Sequence, residues 1–150
     1  MIYIISEYLS LFVTSFLAST ILPLGSEGLL AFLVHKGLNI YLLILTATIG
    51  NYLGACVNYY IGIMGSHGIL HKFLKINKKD EERSKGLFKK YGAPILLLSW
   101  IPIIGDPLTL FAGIMKLNFK IFSIFVFIGK LIRYIGVYFI VSSPPIFPFP

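Results

Sequence analysis

The chain has 150 residues, of which 57% are hydrophobic and only 13% charged. Soluble domains carry about 25% charged residues, and a globule of this size has too much surface to cover with so few. These proportions exclude a water-soluble globule, a disordered chain, a collagen-like repeat and a disulfide-stapled secreted fold. The expected protein is a single membrane domain, 1–150.

The first segment, Met1 to Glu7, has no Lys or Arg ahead of its apolar run. A cleaved secretory signal needs a positive n-region, so this segment is expected to be retained. Residues 8–22 are apolar, Pro23-Leu24-Gly25-Ser26-Glu27-Gly28 interrupts, and 29–34 are apolar again. Residues 40–64 then form a run long enough to cross a bilayer, which takes about 20 residues.

A basic stretch follows, at 65–92. Between His71 and Tyr91 lie Lys72, Lys75, Lys78, Lys79, Arg83, Lys85, Lys89 and Lys90, opposed only by Asp80, Glu81 and Glu82. This stretch carries most of the net charge of +7. A basic cluster between hydrophobic blocks fits a cytoplasmic loop, here 72–90, that attracts anionic lipid head groups. Nucleic acid is not an expected partner. Phe73, Leu74, Leu87, Phe88 and Tyr91 recur at helical spacing among the lysines, which predicts an amphipathic surface helix.

Residues 93–101 are apolar, Pro102-Ile103-Ile104-Gly105-Asp106-Pro107 interrupts, 108–115 are apolar, and 117–142 can span. The tail from Ser143 to Pro150 holds four prolines and cannot continue a helix.

The pattern repeats. A shift of 79 residues, without a gap, superposes Pro23 on Pro102, Glu27 on Asp106, Leu38-Asn39 on Leu117-Asn118 and Ile49-Gly50 on Ile128-Gly129. The chain thus reads as two halves, 8–64 and 93–142, joined by the basic linker. In each half an interrupted apolar block precedes a spanning helix. Neither arm of a block crosses alone, since 8–22 reaches about 22 Å against a core near 30 Å.

Each block is therefore a kinked crossing or a re-entrant hairpin. Re-entrance puts the linker, Lys116 and Lys120 on one face and leaves only Lys36 opposite, which suits the positive-inside rule better. The expected fold is all-α and integral to the membrane: an inverted repeat of re-entrant helical hairpin plus transmembrane helix, joined by a basic amphipathic linker helix. Matching Gly/Pro breaks in two such halves point to a transport site: Pro23 and Gly25 in the first, Pro102 and Gly105 in the second.

Glu27 and Asp106 are the only acids inside the apolar blocks. An ionised carboxylate at the bilayer centre costs on the order of 3 kcal/mol, so such acids are functional candidates. They can exchange protons in a coupled carrier, cap the second arm of each hairpin, or do both. Lys130 and Arg133 lie three residues apart on one side of the last helix. They can neutralise Glu27 and Asp106, receive a phosphate, or snorkel to an interface.

Asn51 and Asn58 share a helical face. They are candidates for lining the same cavity or for ordinary interhelical hydrogen bonds. Gly50-x-x-x-Gly54 is a close-packing signal. His67-x-x-x-His71 lacks the Glu of a zinc protease, and Cys56 has no disulfide partner, so neither a metal nor a cofactor is expected. Gly105-Asp106 lacks the second catalytic Asp of an intramembrane aspartyl protease. No enzyme is indicated.

At these residues the chain resembles the DedA family, also called the VTT or SNARE-associated Golgi protein family, and within it the small YqaA-like bacterial branch. The motifs are Leu22-Pro23-Leu24-Gly25-Ser26-Glu27, Thr46 to Gly54, Tyr91-Gly92, Leu98 to Asp106, Ala112-Gly113 and Gly129 to Tyr134. The resemblance spans roughly 10–140. It implies facing re-entrant hairpins in an inner-membrane, multi-pass protein. It also implies lipid transport, of undecaprenyl phosphate or phospholipid, coupled in several bacterial members to the proton-motive force. Glu27 and Asp106 take the places of the family's hairpin acids.

The larger branch has arginines flanking the second hairpin's proline, thought to hold lipid phosphate. Ser99-Trp100 and Gly105-Asp106 stand there instead, so Lys130 and Arg133 would have to replace them, with Trp100 lining the cavity. Expected partners are membrane lipids, a lipid phosphate and protons, with a homo-oligomer left open. The competing readings are a proton- or cation-coupled ion carrier and a non-transporting membrane-organising protein.

Overall fold

A computed structural model describes residues 2–20, 25–65 and 78–143. Every regular element among the described residues is helical. In chain order these are α1 (Ile2–Thr20), α2 (Ser26–His35), α3 (Ile40–Met64), α4 (Lys78–Tyr91), a 3-10 helix (Ala93–Trp100), α5 (Pro102–Ile114) and α6 (Phe119–Ser142). Among the described residues, two helices are long and apolar enough to cross a membrane, α3 with 25 residues and α6 with 24. Each is about 36–37 Å long at 1.5 Å per residue, enough for a 30 Å core with some tilt.

The two long helices run antiparallel. The end of α3 meets the start of α6, where the rings of Tyr59 and Phe122 lie 4.4 Å apart and Tyr52 Oη donates to Ser123 Oγ at 2.8 Å. The start of α3 meets the end of α6, where Leu43, Ala47, Tyr134 and Val137 share one apolar cluster. Ile121, Ile124, Ile128 and Ile132 form an exposed stripe on α6. In water such a stripe would be a liability; against lipid tails it is ordinary surface.

The chain folds back between α1 and α2. Glu7 near the start of α1 pairs with Lys36 just past the end of α2, and Tyr8 and Leu11 pack in one cluster with Leu33 and Val34. The 3-10 helix and α5 also fold back, with Ile95 and Leu96 in one cluster with Leu108, Phe111 and Ala112.

The 79-residue correspondence reaches backbone detail. Asn39 caps α3, its side chain accepting from the Tyr41 and Leu42 N–H groups, and Asn118 caps α6, accepting from the Lys120 N–H. Before each cap the chain makes a Schellman turn. Gly37 N–H donates to Val34 and Leu38 N–H to Leu33; Lys116 N–H donates to Gly113 and Leu117 N–H to Ala112. Gly37 and Lys116 both have positive φ, 84° and 51°.

Several boundaries differ from the sequence expectation. Helix α1 begins at Ile2 rather than residue 8, because its early polar groups stay on the exposed face, Ser6 and Ser10 donating back to the Tyr3 and Glu7 carbonyls. The stretch 102–107 is no interruption. The break is the single extended residue Ile101 (φ −78°, ψ 121°), and α5 starts at Pro102 and runs through Pro107. Proline at the first helical position is preorganised for a helix start.

Gly105 consequently lies inside a helix, where a Cβ would press on the Ser99 backbone, so its role there is close approach. Gly25 does mark a turn, at φ 63° before α2. In the basic stretch, Phe88 is buried and Leu87 half-buried, while Tyr91 is exposed rather than on the buried face. Pro23, Phe73, Leu74, His67, His71 and the proline-rich tail beyond Ser143 lie outside the described residues.

Candidate functional site

The first turn of α2 and the early part of α5 each set an acid against the middle of α6. Glu27 occupies the first turn of α2, where exposed N–H groups and the helix dipole favour an anion. Its carboxylate pairs with the Arg133 guanidinium. The neighbouring Ser26 hydroxyl lies 3.1 Å from Tyr134 Oη and donates to Glu27 Oε2 at 3.3 Å. Sequence alone had left open whether Lys130 and Arg133 neutralise the acids. They do so here, one to one.

Asp106 sits one turn into α5, not at its N-terminus. Its Oδ1 accepts from Lys130 Nζ at 3.1 Å and from Ser19 Oγ at 3.1 Å. Ser19 ends α1, so this carboxylate ties the first fold-back to the second through α6. The Asp106 carbonyl accepts from Thr109 Oγ1 at 2.8 Å, and Thr109 in turn accepts from Asn58 Nδ2 at 3.3 Å. Lys130 is fully buried. Two carboxylates and two cations make the cluster neutral as a whole, as a low-dielectric interior demands.

Asn51 and Asn58 serve as interhelical clamps rather than as walls of the Glu27 cavity. Asn51 Nδ2 donates to the Ser15 carbonyl at 2.9 Å and Asn58 Nδ2 to the Ser19 carbonyl at 2.8 Å. Gly50 and Gly54 permit this approach, since a Cβ on either would meet the carbonyl of Phe12 or Phe16.

A cavity of about 480 Å³ opens beside the Glu27–Arg133 pair, lined also by Trp100, Ile132, Gly136, Val137 and Ile140. Trp100 is part of this wall and Lys130 is not. Ser19, Ser26, Thr109 and Tyr134 also belong to the network. Ser26 and Tyr134 stand within the resemblance motifs, whereas Ser19 and Thr109 are marked only by a hydroxyl near a break. Among the described residues no cluster of His, Cys, Asp and Glu could hold a metal.

Two helices long and apolar enough to cross a membrane, with charges paired inside the packing, fit an integral membrane protein. The VTT domain family matches residues 22–143, and the chain belongs to that family, also known as DedA. It is 39% identical over 131 residues to the inner membrane protein YqaA of Escherichia coli, covering 85% of this chain and 86% of that one. It is 29% identical over 141 residues to undecaprenyl phosphate transporter A of Staphylococcus aureus, covering 86% of this chain and 70% of that one. An alkaline phosphatase-like protein of Lactococcus lactis is 32% identical over 123 residues, covering 73% of this chain and 58% of that one. No solved structure matches.

Proposed function

We propose that this protein translocates a phosphate-bearing lipid, undecaprenyl phosphate or a phospholipid, across the inner membrane, with Glu27 and Asp106 exchanging protons during the cycle. The observation that carries the reading is the pairing of one acid from each half, Glu27 and Asp106, with a cation on the apolar helix α6. A structural core rarely invests in charge at that depth. The transporter relative in Staphylococcus supplies the lipid class.

The finer architecture belongs to the same proposal. The halves 8–64 and 93–142 form an inverted repeat with re-entrant hairpins, and the linker 72–90 faces the cytoplasm. The Glu7–Lys36 pair and the matched caps at Asn39 and Asn118 support it, as does the positive-inside placement of Lys116 and Lys120. In this arrangement hairpin tips face each other near the midplane, where a carrier holds its cargo.

The test is head-group translocation of undecaprenyl phosphate and phospholipid in proteoliposomes, with and without a proton gradient. Translocation is expected from the parent protein and its loss from a folded Glu27→Gln/Asp106→Asn variant. Full transport by that variant sinks the proposal. Ion flux without lipid movement would favour an ion carrier. No flux of either kind, with only stability changed in the variant, would favour a membrane-organising role.

A further inference from the structure

We propose that Arg133, and not Lys130, is the phosphate contact. The cavity beside it takes a phosphate carried on a long apolar chain, and the phosphate exchanges with the Glu27 carboxylate on the guanidinium. The inference rests on the lipid-phosphate reading above and narrows it to one cation and one cavity.

Access separates the two cations. Arg133 and Glu27 both line the cavity, with side chains 10% and 34% exposed. Lys130 is absent from its wall and 0% exposed, with Nζ held by Asp106. An anion arriving through the cavity meets the guanidinium, whereas the ammonium is buried away from the wall and already held by Asp106.

Chemistry points the same way. A guanidinium presents a planar fork that binds carboxylate and phosphate alike, two bonds to either. Replacing Glu27 by a phosphate keeps Arg133 paired throughout, so a buried cation is never left bare. The neutral starting charge makes exchange the way an anion enters: the phosphate takes the guanidinium and the released Glu27 carboxylate takes up a proton.

The rest of the wall suits a chain. Ile132, Gly136, Val137 and Ile140 follow one face of α6 away from Arg133, and the charged pair is confined to one end. Gly136 leaves this face open: a Cβ there would meet nothing within 4 Å. A larger side chain at 136 would fill the cavity from its wall.

The experiment uses the full chain in phosphatidylcholine nanodiscs, titrated with decyl phosphate, inorganic phosphate and decanol. Binding is read from retained radiolabelled ligand and from fluorescence of Trp100, the sole tryptophan and part of the cavity wall. Decyl phosphate is expected to bind saturably, at least tenfold more tightly than decanol or inorganic phosphate. Arg133→Gln and Gly136→Leu should each weaken decyl phosphate at least tenfold, and Glu27→Gln should tighten it severalfold by removing the competing carboxylate. The paired change Lys130→Met/Asp106→Leu, which leaves no buried charge alone, should lower binding no more than threefold.

No saturable binding by the parent protein, or parent-like binding by Arg133→Gln, overturns the inference. So does a Lys130/Asp106 variant that loses as much as Arg133→Gln. Inorganic phosphate binding as tightly as decyl phosphate overturns the apolar-chain half and makes free phosphate the ligand. Binding at Arg133 without lipid movement in proteoliposomes would sink the transport reading and leave this site standing. Lipid movement that survives Arg133→Gln would do the reverse.

Discussion

Lys130 and Asp106 form an ion pair, Nζ to Oδ1 3.1 Å, whose ammonium is shut away from every solvent. The same oxygen accepts from Ser19, so one carboxylate fastens α1, α5 and α6 at a single point. Breaking a buried pair from one side strands the other charge, which costs about 3–5 kcal/mol, whereas replacing both by apolar groups is often neutral. Lys130→Met alone should therefore lower thermal stability in detergent sharply, and Lys130→Met/Asp106→Leu should recover most of the loss. A double variant no more stable than Lys130→Met would show that the pair does not act as a unit.

Gly62 and Gly113 hold α3 against α5 at backbone distance, since a Cβ on Gly113 would collide with the Tyr59 carbonyl and one on Gly62 with the Leu110 carbonyl. Gly113→Ala should destabilise by about 1–3 kcal/mol through forced separation of backbones. Gly86 in α4 has open space around it, so Gly86→Ala should stabilise by about 0.5–1 kcal/mol from helix propensity. Melting temperatures of the two variants should move in opposite directions.

The matched caps make a paired prediction. Asn39→Ala and Asn118→Ala should each cost about 1 kcal/mol, as lost N-caps do. Lys116 holds the left-handed conformation that glycine takes at Gly37, and an L-residue pays about 1 kcal/mol there. Lys116→Gly should raise the melting temperature, and a fall would argue against the left-handed turn.

Cys56 is the only cysteine and is buried, so the native protein should react slowly with a membrane-impermeant maleimide until denatured. On a Cys56→Ala background, Lys90→Cys and Lys116→Cys should be labelled from the cytoplasmic face and Lys36→Cys from the other. Labelling of Lys90→Cys and Lys116→Cys from opposite faces would sink the re-entrant arrangement of the second half, and labelling of Lys90→Cys from outside would sink the cytoplasmic linker.

Composition and run length were enough to read an all-helical membrane protein from the sequence, because apolar runs of 25 residues bounded by polar breaks have few other uses. The 79-residue shift also reached Asn39 and Asn118, since caps and turns are specified by local residues. Helix ends were less legible. Pro102 looked like an interruption, yet a proline at the first helical position leaves no ladder bond unmade, and Pro107 inside the helix removes only one.

The candidate acids and bases were visible as charges in apolar runs, and tertiary structure alone decided their pairing. Glu27 and Arg133 lie 106 residues apart, and Asp106 could have faced either cation. Nothing local distinguishes a Lys130 sealed in the packing from an Arg133 open to a cavity three residues later. That difference depends on where Trp100 and the turn before α2 come to rest, and only folding brings those distant segments against the same stretch of α6.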